Sequence, residues 1–158
     1  MQALLDELRK PEYQSLSDQA AADAINSKMV WIRVWVDTAD AITHATQEGY
    51  YARMKHVADS DPPDENTQAY QCWQAAKNII GFVESTKTQK IDMDSQGAIA
   101  MKTAMVQCVF ASTQQITSLD ALANRRVRWV DNEGIGEVGR GGVQNARLEI
   151  SRGASNAQ

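Results

Sequence analysis

Apolar positions along this chain recur mostly with the period of a helix. Leu4, Leu5 and Leu8 mark a short first helix that must stop near Pro11. Ser17 reads as an N-cap, Asp18 sits in the first turn where the helix dipole favours negative charge, and the alanine-rich run to Asn26 completes that helix. Asp37 and Thr38 offer a cap for a helix through Ile42 and Ala45. Gly49 interrupts it, and Tyr50, Tyr51, Met54, Val57 and Ala58 continue with helical spacing until Asp61-Pro-Pro63. Ala69, Cys72, Trp73, Ala76, Ile79, Ile80 and Val83 then keep the i, i+3, i+4, i+7 pattern without a miss. Residues 87–90 form a polar link, and the stretch from Ile91 to Ser95 offers another cap. From 95 to 112, Ile99, Met101, Met105, Val106, Cys108, Val109 and Phe110 leave few polar sides, which predicts the central, buried helix. Ser118 reads as the cap of one more helix, with Leu119, Leu122, Val127 and Val130 inward and Gly134 at its C′ position. A glycine-rich turn over 134–142 leads to a last short helix around Val143, Ala146 and Ile150.

One segment departs from this period. Met29 to Val36 alternates strictly, with Val30, Ile32, Val34 and Val36 on one face and Trp31, Arg33 and Trp35 on the other. A period of two in β-branched and aromatic residues is a strand. A lone two-faced strand is unstable and needs a partner. That partner is either an edge offered by another molecule or a short ribbon within the chain, made with Thr88 to Ile91 or Arg126 to Val130. The fold class expected is therefore mainly α: a compact multi-helix domain of seven or eight helices over residues 1–150, packed on helix 95–112, with one short β-strand or ribbon. A polar tail, 151–158, is too small and hydrophilic to bury itself, so an ordered end there implies that something outside the chain holds it.

Composition narrows the function more by exclusion than by assertion. The 158 residues are 43% hydrophobic and 23% charged, ordinary values for a globular protein long enough to bury a core. The net charge of −4 gives no global attraction to nucleic acid or anionic lipid. No apolar run approaches the roughly 20 residues that span a bilayer, and the charged start MQALLDELRK has no signal-peptide core. Cys72 and Cys108 both fall in helical patterns and are expected as buried free thiols in a reducing compartment, with a disulfide the lesser alternative.

No residue pattern announces chemistry. His44 and His56, the only histidines, lack further ligands at metal spacing and are expected on solvated helix faces. Asp92 and Asp94 lack the rest of a calcium loop and are expected to serve a helix cap. The glycines of 134–142 contain no phosphate-loop lysine and follow a helical pattern, so a flexible turn is expected. Neither catalytic residue nor cofactor is expected. Arg125, Arg126 and Arg128, with Trp129 beside them and Arg140, Arg147 and Arg152 further on, make the last third basic. Arginine and tryptophan are enriched in protein interfaces, and they also serve nucleic acid. Protein contact is favoured, and the interface residues expected are Trp31, Arg33, Trp35, Arg125, Arg126, Arg128 and Trp129.

Leu16-Ser-Asp-Gln-Ala-Ala-Ala-Asp-Ala-Ile-Asn26, the Ile91-Asp-Met-Asp before a buried helix, and Gly134-Ile-Gly-Glu-Val with Val143-Gln-Asn-Ala-Arg147 follow one order through most of the chain. In this they resemble small, mostly helical proteins encoded in the structural gene modules of tailed bacteriophages. The resemblance implies a non-enzymatic virion subunit, in the tail or its attachment region, or less strongly a capsid decoration. Its partners would be other virion proteins or copies of itself. The alternative from another class is a small phage regulator or inhibitor that binds a host protein. A nucleic-acid-binding module ranks third.

Overall fold

The computed structural model describes residues 1–85 and 90–155. Among them are ten helices and four short strands, in the order α1 (Gln2–Leu8), α2 (Pro11–Gln14), α3 (Asp18–Ser27), β1 (Met29–Arg33), β2 (Val36–Asp37), α4 (Thr38–Gln47), α5 (Tyr50–Asp59), α6 (Gln68–Val83), β3 (Lys90–Ile91), α7 (Gln96–Gln107), α8 (Thr113–Ala121), β4 (Asn124–Arg128), α9 (Trp129–Asn132) and α10 (Arg140–Ser155). The protein is mainly α, as its periodicity indicates. β1 pairs with β4, and β2 pairs antiparallel with β3, Val36 opposite Ile91 and Asp37 opposite Lys90. The chain forms two compact units, one of Met1–Ile32 with Arg126–Gln158 and one of Arg33–Arg125.

The first unit is built by its two chain ends. Leu4, Leu5, Leu8, Ala21, Ala22, Ile25, Trp129, Val130, Val143 and Ala146 form its core. Ser17 caps α3 as expected, its side chain accepting from the Ala20 N–H. Polar groups inside this core are paired. Asn26 makes two bonds to Val138, its amide donating to the carbonyl at 2.8 Å and its oxygen accepting from the N–H at 2.9 Å. Arg147 reaches Asp18 at 2.6 Å and the Tyr13 and Leu16 carbonyls at 2.7 and 2.9 Å. Glu7 is buried, accepting from Lys10 at 2.6 Å and also pairing with Lys28. Burial would raise the Glu7 carboxyl, but bonds from Lys10, Lys28 and Tyr13 outweigh that and hold it below the usual carboxylate range.

The second unit packs α4, α5, α6, α7 and α8 around two apolar clusters. One joins Tyr50, Met54, Ala76, Ile79, Ile80, Met105 and Phe110; the other joins Val36, Ala41, Ile91, Met93, Ala98 and Leu119. Gly49, left-handed at φ 75°, lets α4 end and α5 begin with only Glu48 and Gly49 between them. Ser95 caps α7 by accepting from the Ala98 N–H.

Several expectations need correction. Cys72 and Cys108 are joined in a disulfide, their Cα atoms 5.5 Å apart, and are not free thiols. The segment 95–112 is not a buried central helix. α7 buries Ala98 and Met105, while Ile99, Val106 and Val109 are exposed at 43%, 37% and 82%. No helix spans 118–134. α8 starts earlier, at a reciprocal cap in which Ser112 accepts from the Gln115 N–H and Gln115 accepts from the Ser112 N–H. Its Leu122 lies outward, and the chain then turns into β4. The strand of 29–36 is intramolecular and divided: β1 takes the 124–128 segment and β2 takes 90–91. The last helix runs through Ser155, and the end of the tail, 156–158, lies outside the described residues, as do 87–89 of the polar link.

Candidate protein-interaction surface

The chain has four tryptophans, and the structure uses two of them internally. Trp129 is 8% exposed, beneath the Lys28 ammonium at 5.9 Å from its ring. Trp73 donates its indole N–H to the Ser60 carbonyl at 3.0 Å and stacks on Tyr70. Trp31 and Trp35 are different: they are 70% and 63% exposed, and neither indole N–H has a partner among the described residues. Alternation explains where they point. Val30 and Ile32 are half-buried and Val36 is buried, so the odd-numbered side chains are left outside.

In the first unit, Trp31 stands on the outer face of the ribbon. The Trp129 N–H donates to the Lys28 carbonyl at 2.8 Å, and at the other end of the strands the Val34 N–H donates to the Ala123 carbonyl at 2.7 Å. Trp31 lies on β1 and Arg126 on the paired β4, and both are exposed. Arg128 turns onto Asp131 at 2.8 and 3.0 Å, whereas Arg126 has no partner among the described residues.

In the second unit, Trp35 and Arg125 line one open groove of about 750 Å³ with Leu122, Lys90, Asp37 and Asp40. The four charges lack ion-pair partners among the described residues. Arg33 does not join them. It holds Asp94 at 2.6 and 3.0 Å, Asp120 at 3.1 Å and the Asn124 side chain at 3.0 Å, while Lys102 takes the other side of Asp120 at 2.6 Å. The Arg33 bonds hold the Asp94 carboxyl below its ordinary range; for Asp120, burial works the other way and the Lys102 and Arg33 bonds outweigh it. Asp94 is thus an ion-pair partner, while Asp92 accepts from the Asp94 N–H in the turn before α7.

Of the expected interface residues, Trp31 and Arg126 are exposed on the paired strands β1 and β4, and Trp35 and Arg125 both line the groove. Trp129 belongs to the core and cannot serve an interface; Arg33 and Arg128 are committed to carboxylates within the chain. Leu122, Lys90, Asp37 and Asp40 carried no signal of their own, because a single leucine in helical spacing and isolated charges look alike inside and out.

His44 is not the solvated residue expected. It is half-buried, its Nδ1 3.0 Å from the Tyr50 hydroxyl and its Nε2 3.0 Å from Ser118 Oγ. A serine, a histidine and a third group in line are the parts of a nucleophile. The proton assignment argues against that use. Burial, and then the charge of Glu48, push the Tyr50 phenol up to about 12, so it stays protonated. Its hydroxyl is buried with only Nδ1 to receive its proton, which leaves Nε2 carrying hydrogen. Ser118 therefore meets a donor and not a base. Among the described residues no three His, Cys, Asp or Glu are grouped to hold a metal ion. An apolar cavity of about 60 Å³ among Met54, Met93, Met101, Met105 and Leu119 is a packing gap, far below the several hundred Å³ of ligand pockets.

Compared with known proteins, the chain matches no family model, no curated protein and no solved structure.

Proposed function

We propose that this protein is a non-enzymatic structural or assembly subunit of a tailed bacteriophage particle, in the tail or its attachment region, and that it grips neighbouring protein through Trp31 and Trp35. The phage assignment rests on the resemblance carried by 16–26, 91–94 and 134–147. The binding assignment rests on one observation: Trp31, on β1 in the first unit, and Trp35, between β1 and β2 in the second, are exposed at 70% and 63%. Exposed indoles beside unpaired Arg126 and Arg125 are the side chains that carry most of the energy of protein interfaces, often about 2 kcal/mol or more each. The disulfide favours a particle over a regulator acting in host cytosol. Disulfides persist on virion surfaces and are rare in reducing compartments.

The test places Trp31→Ala and Trp35→Ala, singly and together, in the phage that encodes the chain. The purified double variant should keep the native melting curve yet be missing from particles. Incorporation of the double variant at native copy number would refute the reading. Loss of the fold before loss of assembly would return both tryptophans to the protein's own architecture.

A further inference from the structure

The groove beside Trp35 has walls of two kinds. Val34, Trp35 and Leu122 make its apolar part, and the Trp35 and Leu122 side chains are exposed there. Its polar part divides again. Thr43 and His44 are committed within the fold, Thr43 Oγ1 donating to the Ala39 carbonyl at 2.8 Å and the His44 ring lying between Tyr50 and Ser118. Asp37, Asp40, Lys90 and Arg125 are exposed and uncommitted. Asp37 lies opposite Lys90 in the β2–β3 register, yet even these two side chains form no ion pair. The two anions are grouped at the start of α4; the two cations come from β3 and β4.

This set of charges is selective about what can cover it. A charge taken out of water without a partner is strongly destabilising, so a covering surface has to answer all four. An uncharged surface would bury two cations and two anions with nothing to meet them. A nucleic acid brings phosphates against Asp37 and Asp40 as well as toward Lys90 and Arg125. An acidic protein segment meets the same repulsion, and a basic one is repelled by Lys90 and Arg125. A segment that carries both signs is the one that leaves no charge opposed.

We infer that the groove receives a mixed-charge segment of a partner protein. Its apolar side chain covers Trp35 and Leu122, its basic side chain faces Asp37 and Asp40, and its acidic side chain faces Lys90 and Arg125. The inference rests on the reading of Trp35 as a protein contact and adds the chemistry of the protein contacted. The apolar part supplies affinity, and the charges supply selectivity by penalising every partner of single sign.

Peptide titration of the full chain tests this, followed by NMR through the Trp35 indole N–H, which reads affinities into the millimolar range. The probes are hexapeptides that share a central pair of leucines and differ in their flanks. One pair of probes carries lysines on one side and glutamates on the other, in the two possible orders; the rest carry lysines, glutamates or serines on both sides. One mixed order should bind roughly tenfold or more tightly than any probe with a single kind of flank. Asp40→Lys should turn the preference toward the glutamate-flanked probe, and Arg125→Glu toward the lysine-flanked one. Both sites are exposed, so the melting curves should stay native. Mixed probes no tighter than the others, a preference indifferent to both substitutions, or no binding by any probe overturns the proposal. These readings need no phage, so their failure leaves the incorporation test of Trp31 and Trp35 standing, and failure of that test leaves the charge preference measurable.

Discussion

Val109 occupies a backbone conformation that suits glycine, and replacing it with glycine should stabilise the protein. The end of α7 is a complete Schellman turn: the Phe110 N–H donates to the Met105 carbonyl at 2.9 Å, and the Val109 N–H donates to the Val106 carbonyl at 3.0 Å. That motif needs a left-handed residue at C′, and Val109 supplies it at φ 57°. Among the described residues, the other positive-φ positions, Gly49, Gly134 and Gly136, are all glycines. A non-glycine residue in this region costs on the order of 1–3 kcal/mol, toward the upper end for a branched side chain. Glycine loses more backbone freedom on folding, which offsets about 1 kcal/mol of the relief. Because 82% of the valine is exposed, its removal forfeits only a small part of the ~2 kcal/mol that a fully buried valine contributes. The balance is about 1 kcal/mol in favour of Val109→Gly, which for a chain of this size raises Tm by roughly 2–4 °C. Thermal melting, together with a urea titration at unchanged m-value, measures it. Val109→Asp, which an apolar reading of 95–112 marks as ruinous, should stay within about 0.5 kcal/mol of native. A Val109→Gly protein that melts at or below the native temperature would show that the turn is not strained, and an unfolded Val109→Asp protein would return the side chain to the core.

Two further effects follow from the anchoring bonds. Reducing the Cys72–Cys108 bond, or replacing both residues with serine, frees a loop of sequence separation 36, for which the chain-entropy model gives a loss of about 4 kcal/mol; melting with and without reductant reads it, and equal curves would refute it. Glu7 sets an acid limb. Its folded pKa lies below the unfolded value, so its contribution is present above the unfolded carboxylate pKa and is lost as pH falls through the folded one. Glu7→Gln should therefore be less stable at neutral pH, by roughly 1–3 kcal/mol, and its stability should fall less as pH drops through and below the ordinary carboxylate range; an acid limb as steep as native would exclude Glu7 as its cause.

Much of the helical framework was legible because its stops and starts are local. Pro11, Ser17, Gly49, Asp61-Pro-Pro63 and Ser95 act through bonds or backbone limits within a few residues, and each stands at or beside the boundary it marks. The errors came where distant partners decide. Leu119, Leu122, Val127 and Val130 fit a helix by spacing, yet β1 offers 124–128 a ladder, and a segment with three arginines becomes a strand. The cysteines sit 36 positions apart, Cys72 in α6 and Cys108 just past the end of α7, and only the packing of these two elements brings their Cα atoms to 5.5 Å. Compartment arguments could not see that approach. The exposed tryptophans were legible because alternation assigns faces without any knowledge of the partner strand; Trp129 was misassigned because neighbouring arginines say nothing about where one indole packs.

The error at α7 is of another kind. A helix that is apolar nearly all round is ordinarily buried all round. The chain covers only one side of this helix, through Ala98 and Met105, and leaves Ile99, Val106 and Val109 outside. Burial of all sides was inferred from composition, and composition is selected in the state in which a protein works. If that state is an assembly, the missing cover lies in a second molecule, and the inference fails for the isolated chain while holding for the assembly. The strained Val109 fits the same view. Glycine at that position would fold better, so retaining an exposed valine makes sense only where its side chain is used. Val109→Gly should therefore raise Tm while removing an exposed apolar side chain that the fold itself does not use.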